Sequence, residues 1–142
     1  MDRRFEQIRI SRVVNASKAR AFEAWTESSQ VRRWWRIGEG WTTPSAEIDL
    51  RVGGKISLGN QPSGGGLVVV TGEFLQIDPP DKLVYTLHFP GALPEESTVT
   101  VEFNELGDQT EIVITQEMSQ AMVESAVDGW NTALDCLSKL LI

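Results

Sequence analysis

One cysteine, one histidine and one tyrosine are all that 142 residues supply of three side chains that commonly serve as nucleophile, base or acid. A lone Cys136 excludes an internal disulfide, and it falls on an apolar segment where it reads as a small buried residue. Without His88 no serine or cysteine triad has a base, and one His, one Cys and scattered carboxylates show no ligand spacing. No metal and no cofactor is expected, and no catalytic residue is assigned.

Long hydrophobic runs are also missing. No stretch approaches the roughly 18 to 20 apolar residues of a membrane-spanning helix, and Met1 to Glu6 lacks the apolar core of a signal peptide. The chain is therefore expected to be cytoplasmic, a single domain over residues 1–142. Basic charge is scarce and unevenly placed. The net charge is −7, with 10 Lys/Arg against 7 Asp/Glu in residues 1–51 and 3 against 13 in the remainder. Arg32-Arg33 with Arg36 is the nearest approach to a phosphate-facing surface, too little for a nucleic-acid partner. Gly64-Gly65-Gly66 has no following Lys-Ser/Thr and leads into a strand, so it reads as a hairpin loop and not a phosphate cradle. Glu95-Glu96 reads as a solvated pair, and Asp49 with Arg51 as a surface ion pair.

What is abundant is alternation. Phe5 to Val14 reads as a strand with Ile8 and Ile10 on one side, and Asn15-Ala16-Ser17 can cap a helix from about Ser17 to Glu27. Ser28-Ser29 can end that helix and cap a second, short one carrying Val31, Trp34 and Trp35. Ala46, Ile48 and Leu50 alternate with charged residues up to a turn at Gly53-Gly54. Lys55 to Leu58 forms the return strand, Gly59 to Gly66 a flexible loop, and Leu67 to Ile77 the next strand. After the turn Asp78 to Asp81 come Leu83 to Phe89, a break over Pro90 to Pro94, then Val99 to Phe103. A hairpin signal at Leu106-Gly107-Asp108 leads to the last strand, Thr110 to Met118. Ser119 to Ile142 is one amphipathic helix: Val123, Ala126, Val127, Trp130, Ala133, Leu134, Leu137, Leu140 and Leu141 share a wide apolar face. The order is one strand, two short helices, six strands in a meander and one long helix.

Five segments in this order carry a resemblance. They are Val13 to Ala16 into Ala21 to Thr26; Val31-Arg32-Arg33-Trp34-Trp35; Asp49 to Gly54; Gly72-Glu73-Phe74 through Ile77 to Pro80; and Gly129 to Leu134. Together they resemble the AHSA-type family of the START-like, or SRPBCC, superfamily. These are the bacterial relatives of the C-terminal domain of the activator of the ninety-kilodalton heat-shock chaperone ATPase. The resemblance implies an α+β helix-grip (Bet v 1-like) fold: a seven-stranded antiparallel sheet wrapped around the long C-terminal helix, with an apolar cavity roofed by the two short helices. It leaves the role open, because the superfamily includes lipid carriers, hormone receptors, polyketide cyclases and co-chaperone domains. A part in the stress response belongs to the same set of implications.

The five tryptophans, Trp25, Trp34, Trp35, Trp41 and Trp130, sit on the elements that would frame such a cavity. Core packing accounts for them, and a wall of Trp35, Trp41 and Trp130 against a flat ligand is the sharper reading. Tyr85 would find either a protein partner or a ligand's polar end inside the concavity, while alternation sends His88 to the opposite face. Gly129 beside Trp130 implies a close approach by a packed element or by a ligand. The candidate ligand-binding residues outside the long helix are Trp35, Trp41, Ile48, Phe74, Tyr85, Leu87 and Phe89, followed by Val101, Phe103 and Gln116. Trp130 and Leu134 complete the set from the helix. The expected function is binding of a hydrophobic small molecule without chemistry. The alternatives are a cyclase- or hydrolase-like enzyme and a chaperone-related protein-binding module. A protein partner, and a monomeric or homodimeric state, remain compatible with the sequence.

Overall fold

The computed structural model describes residues 5–91 and 96–141. Part of the break over Pro90 to Pro94, Glu95 of the acidic pair, the start of the chain and the helix end at Ile142 lie outside them. The strands are β1 (Phe5–Val14), β2 (Trp41–Ile48), β3 (Lys55–Pro62), β4 (Val68–Asp78), β5 (Lys82–His88), β6 (Glu96–Leu106) and β7 (Gln109–Ser119). The helices are α1 (Lys18–Thr26), α2 (Ser28–Trp34) and α3 (Val123–Leu140), the last entered through a 3₁₀ turn at Gln120–Met122. The strands form one antiparallel sheet in the order β1-β7-β6-β5-β4-β3-β2. Short hairpin links place β2 to β7 side by side, and β1 returns to pair with β7 from Phe5 opposite Ser119 to Val14 opposite Thr110.

Period-two burial decides which way each strand faces. Leu83, Tyr85 and Leu87 on β5, Val99, Val101 and Phe103 on β6, and Ile112, Ile114, Gln116 and Met118 on β7 are buried. On α3 the buried set is Gly129, Trp130, Ala133, Leu134 and Leu137, the three-and-four spacing of one helical face. These surfaces form one core with α1 and α2, where the Phe22 and Phe103 rings meet edge to face at 5.6 Å. The α1 start is capped as its sequence implies, Ser17 Oγ accepting from the Arg20 N–H at 3.2 Å.

Several boundaries differ from the sequence reading. Ser28 and Ser29 lie inside α2, whose N-cap is Glu27 without a side-chain bond, and Trp35 lies just beyond its last residue. Ser119 belongs to β7 because β1 is long enough to pair with it. Strand β3 runs on to Pro62, since Gly59 and Asn60 find partners in Val69 and Val68, and Trp41 sits on β2 opposite Pro62. Leu50 is not on the inner face: β2 ends at Ile48, and Leu50 is 44% exposed in the turn that carries the Asp49–Arg51 ion pair (2.7 Å). In β4 the pairing register shifts between Phe74 and Gln76. The extra residue, Leu75, is exposed, and Ile77 packs on the core where strict alternation would send Gln76.

Candidate functional site

Most of the interior is closed, and a cavity opens into it where α3, β7, the start of β6 and the segment after α2 converge. Its volume is about 160 Å³. Trp35, Arg36 and Ile37 form one wall, Phe89 and Ser97 the rim near the β5–β6 link, and Gln116 and Met118 the floor on β7. Met122, Ser125, Ala126, Gly129 and Trp130 line it from the 3₁₀ turn and α3.

Local bonding holds the 35–37 wall in place. The Trp35 N–H closes α2 onto Val31 O (2.8 Å), and the Trp35 carbonyl accepts from the Thr43 hydroxyl and from Arg36 Nη1, each at 2.6 Å. Ile37 O lies against Gly129, where an added Cβ would be only 2.3 Å away. The close approach at Gly129 is therefore to a loop backbone, which is why a residue of low helix propensity stands in mid-helix.

The polar floor is a relay. Trp130 Nε1 donates to Gln116 Oε1 at 2.8 Å, and Gln116 Nε2 donates to Ser97 Oγ at 2.7 Å. Both Gln116 bonds fix its amide orientation and leave the Ser97 hydroxyl its own proton to donate. Three buried indoles have acceptors: Trp25 Nε1 reaches the Tyr85 hydroxyl (3.1 Å), Trp34 Nε1 the Ala24 carbonyl (2.8 Å), and Trp130 Nε1 Gln116. The fourth, Trp35, is 4% exposed, and its Nε1 has no partner among the described residues. Ser119 Oγ and Ser138 Oγ are also buried and without a partner among the described residues, and neither residue lines the cavity.

Of the residues expected to meet a ligand, the structure brings Trp35, Phe89, Gln116 and Trp130 together around this cavity. The Trp35 and Trp130 rings stand perpendicular, 5.4 Å apart. Ile48, Phe74, Tyr85 and Leu87 surround a second void of about 20 Å³ with Trp25, Trp34 and Trp35, room for about one water, and Trp35 lines both spaces. Tyr85 has a protein partner there, Trp25, and burial pushes its phenol well above the usual range against a smaller lowering by that hydrogen bond. Val101, Phe103 and Leu134 are fully buried in the packed core, and Trp41 is half-buried on the edge strand β2, apart from Trp35 and Trp130. His88 lies on the face of β5 opposite Tyr85, and Cys136 is half-buried against the core.

The candidate ligand residues left out Arg36, Ile37, Ser97, Met118, Met122, Ser125, Ala126 and Gly129 as lining residues. Ser97 carried a signal, being two residues before Val99 on an alternating strand, and Ala126 is one turn before Trp130. Among the described residues no group of three or more His, Cys, Asp and Glu is placed to hold a metal ion, and no helix is long and apolar enough to cross a membrane.

With this geometry in view, comparison with known families gives a match over residues 15–141 to the activator of Hsp90 ATPase homolog 1-like family. The chain belongs to that family. The helix-grip architecture recurs in solved relatives, among them protein CV1439 from Chromobacterium violaceum. That structure is 27% identical over 95% of this chain and 96% of its own, with a TM-score of 0.86. Mll3558 from Rhizobium loti is 25% identical over 98% and 99% of the two chains, with a TM-score of 0.78. CalU16 from Micromonospora echinospora, at 24% identity over 99% and 85% and a TM-score of 0.73, shares the fold. No curated protein matches. Family membership thus accounts for the START-like fold and its cavity, and names no ligand.

Proposed function

We propose that this protein binds a small hydrophobic molecule in the cavity between β6, β7 and α3 and leaves it chemically unchanged. The observation that carries the reading is a largely apolar cavity of about 160 Å³ with Trp35 in its wall, a buried residue whose indole N–H has no acceptor among the described residues. A buried donor without an acceptor costs about 1–3 kcal/mol, and a ligand oxygen returns it. Apolar walls with a few fixed polar groups are the usual make-up of a small-molecule site.

Binding is favoured over a cyclase- or hydrolase-like activity by the lining itself. Its polar side chains are Arg36, Ser97, Gln116 and Ser125, with the indole N–H groups, and no Asp, Glu, His or Cys is among the described lining residues. A general acid–base step needs a titrating group within hydrogen-bond reach, and the lining offers none near neutral pH. The test uses Met118 and Met122, which face the cavity. With ¹³C-methyl methionine, a compound of single-ring size is expected to shift both methyl resonances and raise the melting temperature. A panel of apolar compounds that moves neither methyl and leaves melting unchanged would overturn the reading.

A further inference from the structure

We infer that the ligand is a single-ring aromatic carboxylate, its ring between Trp35, Trp130 and the two methionines and its acid on Arg36; this rests on the ligand-binding reading above.

Size comes first. A cavity of about 160 Å³ is close to the roughly 150 Å³ that accommodates benzene in an engineered protein core, and well below the 300–1,000 Å³ of most drug-sized sites. A fused polycycle or a long acyl chain does not fit inside. The walls then choose between a ring and a short alkyl chain. Two indoles, the Phe89 ring and two thioethers supply edge and face contacts and sulfur–aromatic contacts, which reward a π-system over a methylene chain.

The head group is argued from Arg36. Among the described residues Arg9, Arg32, Arg33, Arg36, Lys82 and Lys139 have no carboxylate partner, and of these Arg36, half-buried, is the one that lines the cavity. Its guanidinium is held by neutral oxygens. Nη1 donates to Arg32 O (3.1 Å), Trp35 O (2.6 Å) and Thr43 Oγ1 (3.5 Å), and Nη2 to Arg33 O (3.3 Å). Of five N–H donors, the Nη1 pair is spent, while Nε–H and one Nη2–H remain. A free guanidinium donor makes a charge-assisted hydrogen bond to a carboxylate oxygen that is stronger than one to a neutral acceptor. The chain's net charge of −7 does not oppose this, because no acidic side chain lines the cavity among the described residues and more distant charges are screened within about 10 Å.

Calorimetric titration of the full chain at low salt separates the possibilities, using phenylacetate, its neutral amide, hexanoate and toluene. Phenylacetate is expected to bind at least about 10-fold more tightly than phenylacetamide, the advantage of a charge-assisted bond, and more tightly than hexanoate. In Arg36→Gln the acid and the amide should bind alike, and Arg36→Lys should restore part of the difference. Equal wild-type affinity for acid and amide would overturn the carboxylate, and hexanoate matching phenylacetate would overturn the ring, with the cavity reading intact in both cases. If toluene and all three others fail to bind, the binding reading itself fails. The wild-type comparisons need no variant, so they hold even if Arg36, which bonds the last carbonyls of α2, is required for folding.

Discussion

Tyr85 is buried, and its hydroxyl accepts from the Trp25 indole N–H at 3.1 Å, a pair that spans α1 and β5. Its inward direction was legible from Leu83, Leu87 and Phe89, because a strand's side-chain period is two. Its partner was not, since Trp25 lies 60 residues away and meets the hydroxyl only once α1 has docked on the sheet. The same gap explains Arg36, whose charge was visible while its lack of an acidic partner is a tertiary fact. Tyr85→Phe would leave Trp25 Nε1 without its acceptor in the core, so we expect a loss of about 1–3 kcal/mol, read as a lower urea midpoint at unchanged slope. Unchanged stability would show that the pair contributes nothing. A pH dependence follows from the same burial. The folded phenol titrates above its ordinary value of 10.0, so its contribution to stability is complete below that pH and is lost as pH rises beyond it. Because the chain has one tyrosine, phenolate absorbance in an alkaline titration is expected to appear only together with unfolding. Phenolate absorbance in the folded protein near pH 10 would contradict the buried pair.

Among the elements, α3 was read most completely, because nine apolar residues at helical spacing specify both its face and its need for a partner surface. Its start was misjudged for a reason outside the helix: β1 is long enough to keep Ser119 in the sheet. The β4 register shift was invisible for the opposite reason, since Phe74, Leu75 and Ile77 are all apolar and their pattern cannot say which one leaves the face. Where α3 meets the segment after α2, Gly129 decides the spacing. In an exposed helix Gly→Ala gains up to about 1 kcal/mol. Here the new Cβ would lie 2.3 Å from Ile37 O, a backbone atom, and overpacking of this kind costs about 1–3 kcal/mol. We therefore expect Gly129→Ala to be net destabilising and to weaken ligand binding by displacing the 35–37 wall. A stability gain in thermal melts would mean that the wall is compliant.

On the scale of the whole molecule, the cavity is what remains when α3 does not fully fill the concave side of the sheet. A resemblance across five segments announced the sheet and the helix. The size of the residual space depends on small residues such as Ser97, Ser125 and Ala126, each unremarkable in its own segment. That is why eleven of the twelve expected ligand contacts divided between two voids and the packed core, with Trp41 left on the edge strand. The division has a consequence that can be measured. A ligand that bridges α3, β7 and the α2–β2 link holds together elements distant in sequence, so at about 100 times its dissociation constant it adds about 2.7 kcal/mol, roughly 10 °C for a chain of this length. Ala126→Leu would put the missing atoms into the cavity from a half-buried position on α3. The filled variant is expected to melt no lower than the unaltered protein, since it buries added apolar surface in existing space, and to lose the ligand-dependent shift. A shift that survives filling would move the ligand to another surface, and a filled variant that melts well below the parent would show that the space is smaller than 160 Å³ implies.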